Sequence, residues 1–358
     1  MIPSVAVEAD ALRDVAREAM ARCGSPADEA DAVADHLVEA NLKGHDSHGV
    51  VRLPRYRTMV ETGALAVGAT LTVVADTGPL LQLDANRGMG QWLARQATDR
   101  AIARAHEHGV AVLALRRAGH VGRLGAYAEQ ACAAGLVSIH FVNVAGSKLV
   151  APFGAAGRMT STNPIAIGVV RADGEPFILD FATSMIAEGK ALVAAQGGTT
   201  LPDGALVDGA GQPTADPAAL YGPTLGTPGP DPRGGPGALA AFGLHKGSGL
   251  ALACELLGGA LTGNGANGPD DQPFGNGMLS ILVDPRALDT AGTFATDAEA
   301  FLARVEAMTP AAGTATVLTP GMKERATRDA RMADGIPLPH PLWEALRRLA
   351  EAPPLASA

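Results

Sequence analysis

The sequence has few aromatic residues, few cysteines and no long apolar run. Aromatic residues make up 4% of the 358 residues, so the core must be built mainly from alanine, valine, leucine and isoleucine. The three cysteines, Cys23, Cys132 and Cys254, are far apart and form no CxxC pair. Their odd number argues against a disulfide framework and favours a reducing compartment. Because no run of about 18 apolar residues occurs, we expect no membrane span.

Basic clusters and a secretory leader are also lacking. The formal net charge is −9, and no segment rich in lysine and arginine offsets it. The sequence therefore lacks the electrostatic footprint of a nucleic-acid-binding protein. The amino-terminal segment has no basic region followed by an apolar one, so we expect no signal peptide and a cytoplasmic protein. A small anionic substrate stays compatible with this charge, because individual arginine and lysine side chains dominate locally.

Glycine and proline are plentiful, with 44 and 25 residues, and the length predicts two lobes. Hydrophobic periodicity predicts a helical opening, with helices at 8–23, from an N-cap at Ser25 to about Leu42, and at 54–61. The pattern then predicts helices at 91–107, 123–134 and 247–262. Strands that complete a sheet are predicted at 71–76, 80–85, 110–115, 136–144, 165–170, 177–182 and 278–284. Two stretches rich in glycine and proline, 221–243 and 264–277, are predicted loops.

The densest group of chemically active side chains is GHDSHGVVRLPRY at 44–56. Ser47 is placed to orient His48, and Arg52 suits a carboxylate because its planar fork pairs bidentately. Arg52 shares a face with His48 if the helix continues between them. Alternatively, His45 and His48 are a metal pair or part of a capping and salt-bridge cluster. No HExxH-like spacing supports a metal, so we expect none; a metal-dependent hydrolase remains the alternative from another class.

Two shorter motifs adjoin predicted strands. Gly119 to Arg123 follows the strand at 110–115 and precedes a helix, where backbone amides favour anions. His120 there is either an acid or base near neutral pH or a solvent-facing turn residue. Asn163, in the TNP motif at 162–164, offers both a donor and an acceptor, or forms a simple turn.

Further polar motifs lie at the end of the strand at 177–182 and before the helix at 247–262. Asp180, Thr183 and Ser184 suit ribose or phosphate, because ligands gather at strand ends in α/β sheets; Thr183 or Ser184 could instead cap a helix. Lys190 could meet substrate or cofactor charge. HKGSGL at 245–250 is like a phosphate cradle with Lys246 as its cation, but it lacks the spacing of a P-loop and is otherwise an ordinary junction.

The Gly88-Met89-Gly90 turn superficially matches a dinucleotide-binding fingerprint. It follows a predicted strand and precedes a helix, as such a turn does. Leu93 stands where the third glycine is needed, and no acidic residue ends a strand at the right distance. We therefore expect no Rossmann-type fingerprint at this turn.

Taken in order, these segments resemble the malate/L-lactate dehydrogenase family, which is distinct from the Rossmann-type lactate dehydrogenases. The resemblance covers nearly the whole chain through SHGVVRLPRY (47–56), GHVGRLGAYA (119–128), TNP (162–164), LDFATSMIAEGK (179–190), HKGSGLA (245–251), MLSILVDP (278–285) and PG (320–321). It implies an α/β (α+β) fold with a non-Rossmann nicotinamide-binding lobe that contains a mixed sheet, at 76–285. It also implies a helical substrate and dimer lobe formed by both chain ends, 1–75 and about 286–358, and a homodimer.

The resemblance implies hydride transfer between NAD or NADP and a small 2-hydroxy or 2-oxo acid of the malate, lactate, sulfolactate or ureidoglycolate type. The alternative is reduction of a cyclic imine acid of the piperideine- or pyrroline-2-carboxylate type. It assigns acid/base work to His120 and a proton relay to Ser47 and His48, and the residues do not decide between these carriers. Glu188 stands where many relatives carry arginine, which affects substrate choice.

The predicted site has three groups of residues. The predicted catalytic residues are His120, His48, Ser47 and Lys190. The predicted substrate-binding residues are Arg52, Tyr56, Asn163, Glu188 and Gly189. The predicted cofactor-binding residues are His120, Val121, Gly122, Arg123, Leu124, Asp180, Phe181, Ala182, Thr183, Lys246, Gly247 and Gly321.

Overall fold

A computed structural model describes residues 3–172, 174–195, 200–222 and 233–355. Its α-helices are α1 (Ala9–Arg22), α2 (Ala27–Leu42), α3 (Leu53–Glu61), α4 (Gly90–His108), α5 (Gly125–Ala133), α6 (Glu188–Ala195), α7 (Ala218–Tyr221), α8 (His245–Cys254), α9 (Phe294–Glu306), α10 (Met322–Asp334) and α11 (His340–Glu351). Its strands are β1 (Ser4–Val7), β2 (Thr72–Asp76), β3 (Leu80–Asp84), β4 (Val110–Ala118), β5 (Val137–Ala145), β6 (Pro164–Val169), β7 (Phe177–Ala182), β8 (Leu206–Val207), β9 (Pro213–Thr214), β10 (Ala238–Leu239), β11 (Gly275–Val283) and β12 (Ile336–Pro339). The fold is mixed α/β, as the sequence predicted.

The main sheet has seven strands in the order β2-β3-β4-β11-β5-β6-β7. β2 and β3 pair antiparallel, whereas β3 and β4 pair parallel, so the sheet is mixed. Because β3 and β4 are parallel neighbours, the chain between them must cross over, and α4 is that crossover. Of the five remaining strands, β8, β9 and β10 form a second sheet, and β1 pairs with β12.

The chain divides into two compact units. The first unit comprises Phe141–Ile165 and Phe181–Leu279, and the second comprises Ile2–His140, Ala166–Asp180 and Ser280–Ala358. Strands β5, β6, β7 and β11 each contain residues of both units. The division into a helical lobe and a cofactor lobe, which concerns what each part binds, stays a prediction.

The helical core of the second unit is built from small and branched aliphatic residues with one buried tyrosine. Leu12, Met20 and Leu37 from α1 and α2 are fully buried and share a cluster with Tyr56 of α3 and Leu346 of α11. Alanines at several contact positions let these helices pack closely, which suits a sequence poor in aromatic residues. The hydroxyl of Tyr56, by contrast, leaves this apolar cluster and enters the site described below.

The predicted helices and strands occur within a few residues of their expected bounds. Two predictions are wrong in detail: α2 is capped by Pro26 rather than Ser25, and the helix expected at 247–262 is α8 followed by a π-helix at Glu255–Leu261. The predicted loop at 221–243 contains β10, and its residues 223–232 lie outside the described ones. No helix in the described residues is both long and apolar enough to cross a membrane.

Candidate active site

Two histidines from distant parts of the chain lie face to face in the second unit. His48 ends a short 3-10 turn at Asp46–His48 after α2, and His120 follows β4. Their rings are stacked, with centroids 5.4 Å apart and an interplanar angle of 17°. The structure therefore brings together both residues that the sequence proposed as proton carriers.

A buried tyrosine and a buried glutamine support His120. The Tyr56 hydroxyl lies 2.6 Å from Nδ1 of His120, and Nε2 of Gln91 donates to the same hydroxyl at 2.6 Å. Tyr56 and Gln91 are each 2% exposed. Gln91, the second residue of α4, was not among the predicted site residues.

His48 has its own partner. The Ser47 hydroxyl lies 3.1 Å from Nδ1 of His48, and Arg52 donates from Nε to the Ser47 carbonyl at 2.6 Å. Among the described residues, the terminal guanidinium nitrogens of Arg52 have no hydrogen-bond partner. Arg52 thus has donors available beside the histidine pair.

The helix that would place His48 and Arg52 on one face does not continue between them. Gly49 has ψ −156° and separates two 3-10 turns, the second at Val50–Arg52. A side chain at Gly49 would overlap the Asn41 carboxamide, whose oxygen accepts from the Val50 amide at 2.9 Å. Packing of the buried Asn41 side chain therefore forces the chain out of the helix at this glycine.

Burial makes this cluster neutral at physiological pH. Burial, followed by the charge of Arg52, holds the pKa of His48 and of His120 well below the ordinary 6.5. Burial also raises the pKa of Tyr56 to about 12. A neutral imidazole has one N–H donor and one acceptor nitrogen, so its hydrogen-bond partners determine which nitrogen carries the proton.

The glycines of the Gly-Met-Gly turn are needed for packing against the His120 loop. Gly90 is the first residue of α4, and a Cβ there would overlap the carbonyl oxygens of Gly119 and His120. The Gly119 amide also donates to the Gly88 carbonyl at 2.9 Å. The turn therefore lets the start of α4 approach the loop that carries His120, and it places Gln91 beside Tyr56.

We expect Gly90→Ala to destabilise the protein by about 1–3 kcal/mol, the usual cost of overpacking a core. The added methyl group meets backbone atoms, which cannot rotate away. Chemical denaturation of the variant and the parent measures this change. Gly157→Ala is the matched control, because no atom lies within 4 Å of a Cβ at that position. Equal stability of the Gly90 and Gly157 variants would contradict the proposed close packing.

Two further side chains hold the His120 loop. Nε2 of His36 accepts from the Arg123 amide at 2.8 Å, and the Tyr127 hydroxyl donates to the Val121 carbonyl at 2.6 Å. A Cβ at Gly122 would overlap the His36 ring. Since an acceptor is needed at Nε2, His36 must be neutral to hold the loop, and burial lowers its pKa from 6.5 to about 3.

We expect the protein to lose stability as the pH falls from 6.5 toward 3, and His36 contributes to this loss. The unfolded chain binds a proton on His36 in that interval, whereas the folded chain does not, so acid favours unfolding. Denaturation free energies across this interval should fall less steeply for His36→Gln, which keeps an acceptor but does not titrate. His340→Gln, at an exposed position, is the control. If the unfolding free energy of His36→Gln fell with pH as steeply as that of the parent, this role would be contradicted. Some dependence on pH remains in the variant, because burial also lowers the pKa of His140 to about 3.

A charged pocket of ≈ 180 Å³ in the second unit contains three of the predicted cofactor residues, Arg123, Asp180 and Gly321. Arg123 is buried, and its guanidinium pairs with Glu129 at 2.5 Å. Asp180 accepts from the Gly125 amide at the start of α5 at 2.7 Å. One carboxylate oxygen thus caps α5, and the other is available to a hydroxyl group.

The first unit holds five of the predicted cofactor residues, Phe181, Ala182, Thr183, Lys246 and Gly247, and the turn before α6. Thr183 and Ser184 are buried and donate to the Thr162 and Ile186 carbonyls, and neither caps α6, which begins at Glu188. The adjacent predicted residues Phe181 and Ala182 are half-buried, whereas Val121 and Leu124 of the second unit are buried. Burial and these internal bonds favour a structural task for both hydroxyls.

Polar residues around α6 and α8 are more accessible. Lys190 and Gly189 are exposed, and Glu188 lies 3.8 Å from Arg233. Lys246 is exposed in the first turn of α8, and a Cβ at Gly247 would overlap the Phe242 carbonyl. Glycine is therefore required for this junction to form.

Asn163 belongs to a buried polar network in the first unit. It has a left-handed backbone, with φ +25°, and its amide nitrogen donates to Glu255 at 2.8 Å. The Glu255 carboxylate also accepts from the side chains of Asn143 and Asn267. Three side-chain amides thus stabilise the buried Glu255 carboxylate at the start of the π-helix, and Asn163 has this structural partner.

The two histidines proposed as a metal pair have different partners. His45 lies 3.6 Å from Glu324, whereas His48 contacts Ser47. Within residues 3–172, 174–195, 200–222 and 233–355, no three His, Cys, Asp or Glu side chains are grouped to hold a metal ion.

Comparison with known proteins agrees with this architecture. The family model described as malate/L-lactate dehydrogenase matches residues 7–347. The chain is 38% identical to hydroxycarboxylate dehydrogenase B of Escherichia coli O157:H7, over 95% of this chain and 92% of the relative. It is 37% identical to an L-lactate dehydrogenase of Cupriavidus necator, over 95% of each. The crystal structure of delta1-piperideine-2-carboxylate reductase from Pseudomonas syringae has a TM-score of 0.81 at 32% identity, over 96% of this chain and 99% of that chain.

Fold and relatives together define an oxidoreductase. The chain belongs to the malate/L-lactate dehydrogenase family, which confirms the resemblance predicted from the sequence. Dehydrogenases of this family depend on a pyridine nucleotide.

Sequence reasoning missed the residues that support the site rather than form it. Gln91 and His36 lie on helices whose periodicity explains them as ordinary helical positions. The one available signal was the Gly-Met-Gly turn before Gln91, where two glycines indicate a close backbone approach.

Proposed function

We propose that the protein transfers a hydride between NAD or NADP and a small 2-hydroxy or 2-oxo acid, of the malate, lactate, sulfolactate or ureidoglycolate type. The observation that carries this proposal is the His120 cluster, in which a neutral histidine bonded to Tyr56 lies within the electrostatic reach of Arg52. The names of the Escherichia coli and Cupriavidus necator relatives support the same substrate class.

The proposal divides the work between cofactor and protein. The nicotinamide, when bound, supplies or accepts the hydride. Asp180 and Gly321 of the charged pocket fit the hydroxyl groups of a nucleotide, whereas Arg123 is paired with Glu129 and holds the pocket wall. The open oxygen of Asp180 would accept from a ribose hydroxyl. For the first unit taken by itself, the start of α8 with Lys246 and Gly247 is a candidate phosphate-binding segment.

The substrate requires an anion site and a proton carrier. The terminal nitrogens of Arg52 would bind the carboxylate bidentately. His120 would exchange a proton with the reacting oxygen, because it is held by Tyr56 and is neutral when at rest. Lys190, Glu188 and Gly189 would contribute to substrate choice around α6.

Reduction of a cyclic imine acid is the second candidate. The contact of 3.1 Å between Ser47 and Nδ1 of His48 favours it, since this pair would form a second proton carrier. The structural likeness to the Pseudomonas syringae reductase supports it as well. The same residues would then exchange a proton with the imine nitrogen of the substrate instead of a carbonyl oxygen.

A substrate screen tests both candidates. Purified protein is incubated with NADH or NADPH and a panel of 2-oxo acids and cyclic imine acids, and loss of the reduced-nicotinamide absorbance is followed. We expect one 2-oxo acid to be reduced fastest; faster reduction of an imine acid would favour the second candidate. Lack of turnover with every compound and both cofactors would overturn the proposal. A homodimer, measurable by light scattering, and a cytoplasmic location belong to the same proposal.

A further inference from the structure

We propose that Gln91 is a positioning residue that sets the tautomer of His120, by holding the Tyr56 hydroxyl so that its proton points to Nδ1 of the histidine. This inference rests on the proposed function for its catalytic meaning. The three groups form one chain, from Gln91 Nε2 to the Tyr56 hydroxyl and on to His120 Nδ1, with both distances 2.6 Å.

The direction of this chain follows from donor and acceptor chemistry. A carboxamide nitrogen donates and cannot accept, so the Tyr56 oxygen accepts from Gln91 and its own proton is left for His120. Nδ1 of His120 must then be the acceptor. A neutral imidazole carries one proton, so the proton of His120 resides on Nε2.

Burial of Gln91 favours this orientation of its carboxamide. The side chain is 2% exposed, and among the described residues its oxygen has no hydrogen-bond partner. In this orientation one N–H and the carbonyl oxygen of the amide have no partner among the described residues, whereas turning the amide over would leave both N–H donors without partners. Orphaned buried donors are rarer in proteins than under-satisfied carbonyl oxygens, so the nitrogen faces Tyr56.

The position of Gln91 is itself rigid. It follows Gly90, whose missing side chain lets α4 approach the His120 loop, and its Cγ packs beneath Gly122. The charged and titratable groups around His120 are His48, His36, Arg52 and Arg55. The cations among them disfavour a second proton on the ring, which leaves the choice between the two neutral tautomers to the Gln91–Tyr56 chain.

The functional consequence is a histidine whose Nε2 N–H is ready to donate to a developing alkoxide. As that proton leaves, the Tyr56 proton passes to Nδ1, so the ring stays neutral and Tyr56 becomes a phenolate that accepts from Gln91 until solvent returns a proton. A ring with its proton on Nδ1 would present a lone pair to a carbonyl oxygen instead and would have to reorganise before each turnover. Gln91 therefore acts through Tyr56, without contacting the substrate, to keep the productive form populated.

The test is the tautomer itself, read from two-bond ¹H–¹⁵N correlation spectra of ¹⁵N-histidine-labelled protein at neutral pH, without cofactor or substrate. The His120 signals are assigned by their loss in His120→Asn. We expect a neutral ring with its proton on Nε2 in the parent. In Gln91→Met, which has a similar shape but no N–H donor, we expect a mixture of tautomers. A parent ring that is charged or protonated on Nδ1, or a Gln91→Met spectrum equal to that of the parent, would overturn the inference.

Kinetics provide the second readout. Loss of one neutral hydrogen bond corresponds to a fall in kcat of about three- to tenfold, with the KM for the acid and the cofactor affinity unchanged. Gln130→Met on α5, whose amide binds the Arg95 carbonyl instead, is the control. If Gln91→Met fails to fold, Tyr56→Phe removes the O–H donor to Nδ1 directly and should also give a mixture of tautomers. Because the spectra need no turnover, they decide this inference even where the substrate screen fails.

Discussion

His120→Ala is expected to lower kcat by about 10²–10⁴-fold, the usual effect of removing a positioned acid or base. His48→Ala is expected to lower it much less. The Tyr56–His120 bond is 2.6 Å long and its tyrosine is held by Gln91, whereas Ser47 lies 3.1 Å from His48 and its hydroxyl can rotate. Steady-state rates with the best substrate of the screen measure both changes.

Two further variants make this comparison decisive. His120→Asn keeps an acceptor for Tyr56 but carries no transferable proton, so it should be as inactive as the alanine variant. His340→Ala, at an exposed position, should keep the parental rate. A larger loss in His48→Ala than in His120→Ala would assign the proton to the Ser47–His48 pair. If neither reaches about tenfold, the proton carrier lies elsewhere.

Arg52→Ala is expected to raise the KM for acids by about 10- to 100-fold, as for the loss of a hydrogen-bonded charge pair. Its terminal nitrogens have no partner among the described residues, so a substrate carboxylate would be the group that they bind. Arg52→Lys keeps the charge and loses the bidentate fork, so it should give an intermediate KM. Initial rates over a range of acid concentrations give these values.

Measuring cofactor affinity distinguishes the loss of a substrate anchor from a general disturbance of the site. Arg52 also holds the Ser47 carbonyl, so a disturbed loop could affect the site as a whole. We expect NADH or NADPH titrations of Arg52→Ala to match those of the parent, with the exposed Arg100→Ala as control. If Arg52→Ala had the same KM for acids as the parent, another residue would anchor the substrate carboxylate, with Lys190 as the next candidate.

The fold was predictable to the extent that it follows local rules. Helical periodicity located α1 to α4, and apolar runs located β3, β4 and β7. Both patterns can be read from residues that are close together in the sequence. The same rules did not decide whether a helix continues from His48 to Arg52. There the helix is broken because Gly49 packs against the Asn41 carboxamide, a contact that no local pattern indicates.

The sequence by itself determined the family, through the order of its motifs. It also determined which chemically active side chains are present, such as His120 and Arg52. Only the tertiary structure decided the protonation and the hydrogen-bond partners of these side chains. Tyr56 is 64 residues from His120 and 35 residues from Gln91, so their hydrogen-bonded chain exists only once α3, α4 and the loop after β4 have packed together. The same packing buries the histidines and lowers their pKa values, and it pairs Arg123 with Glu129. Protonation and pairing depend on burial and on distances of a few ångströms, which spacing along a chain does not specify.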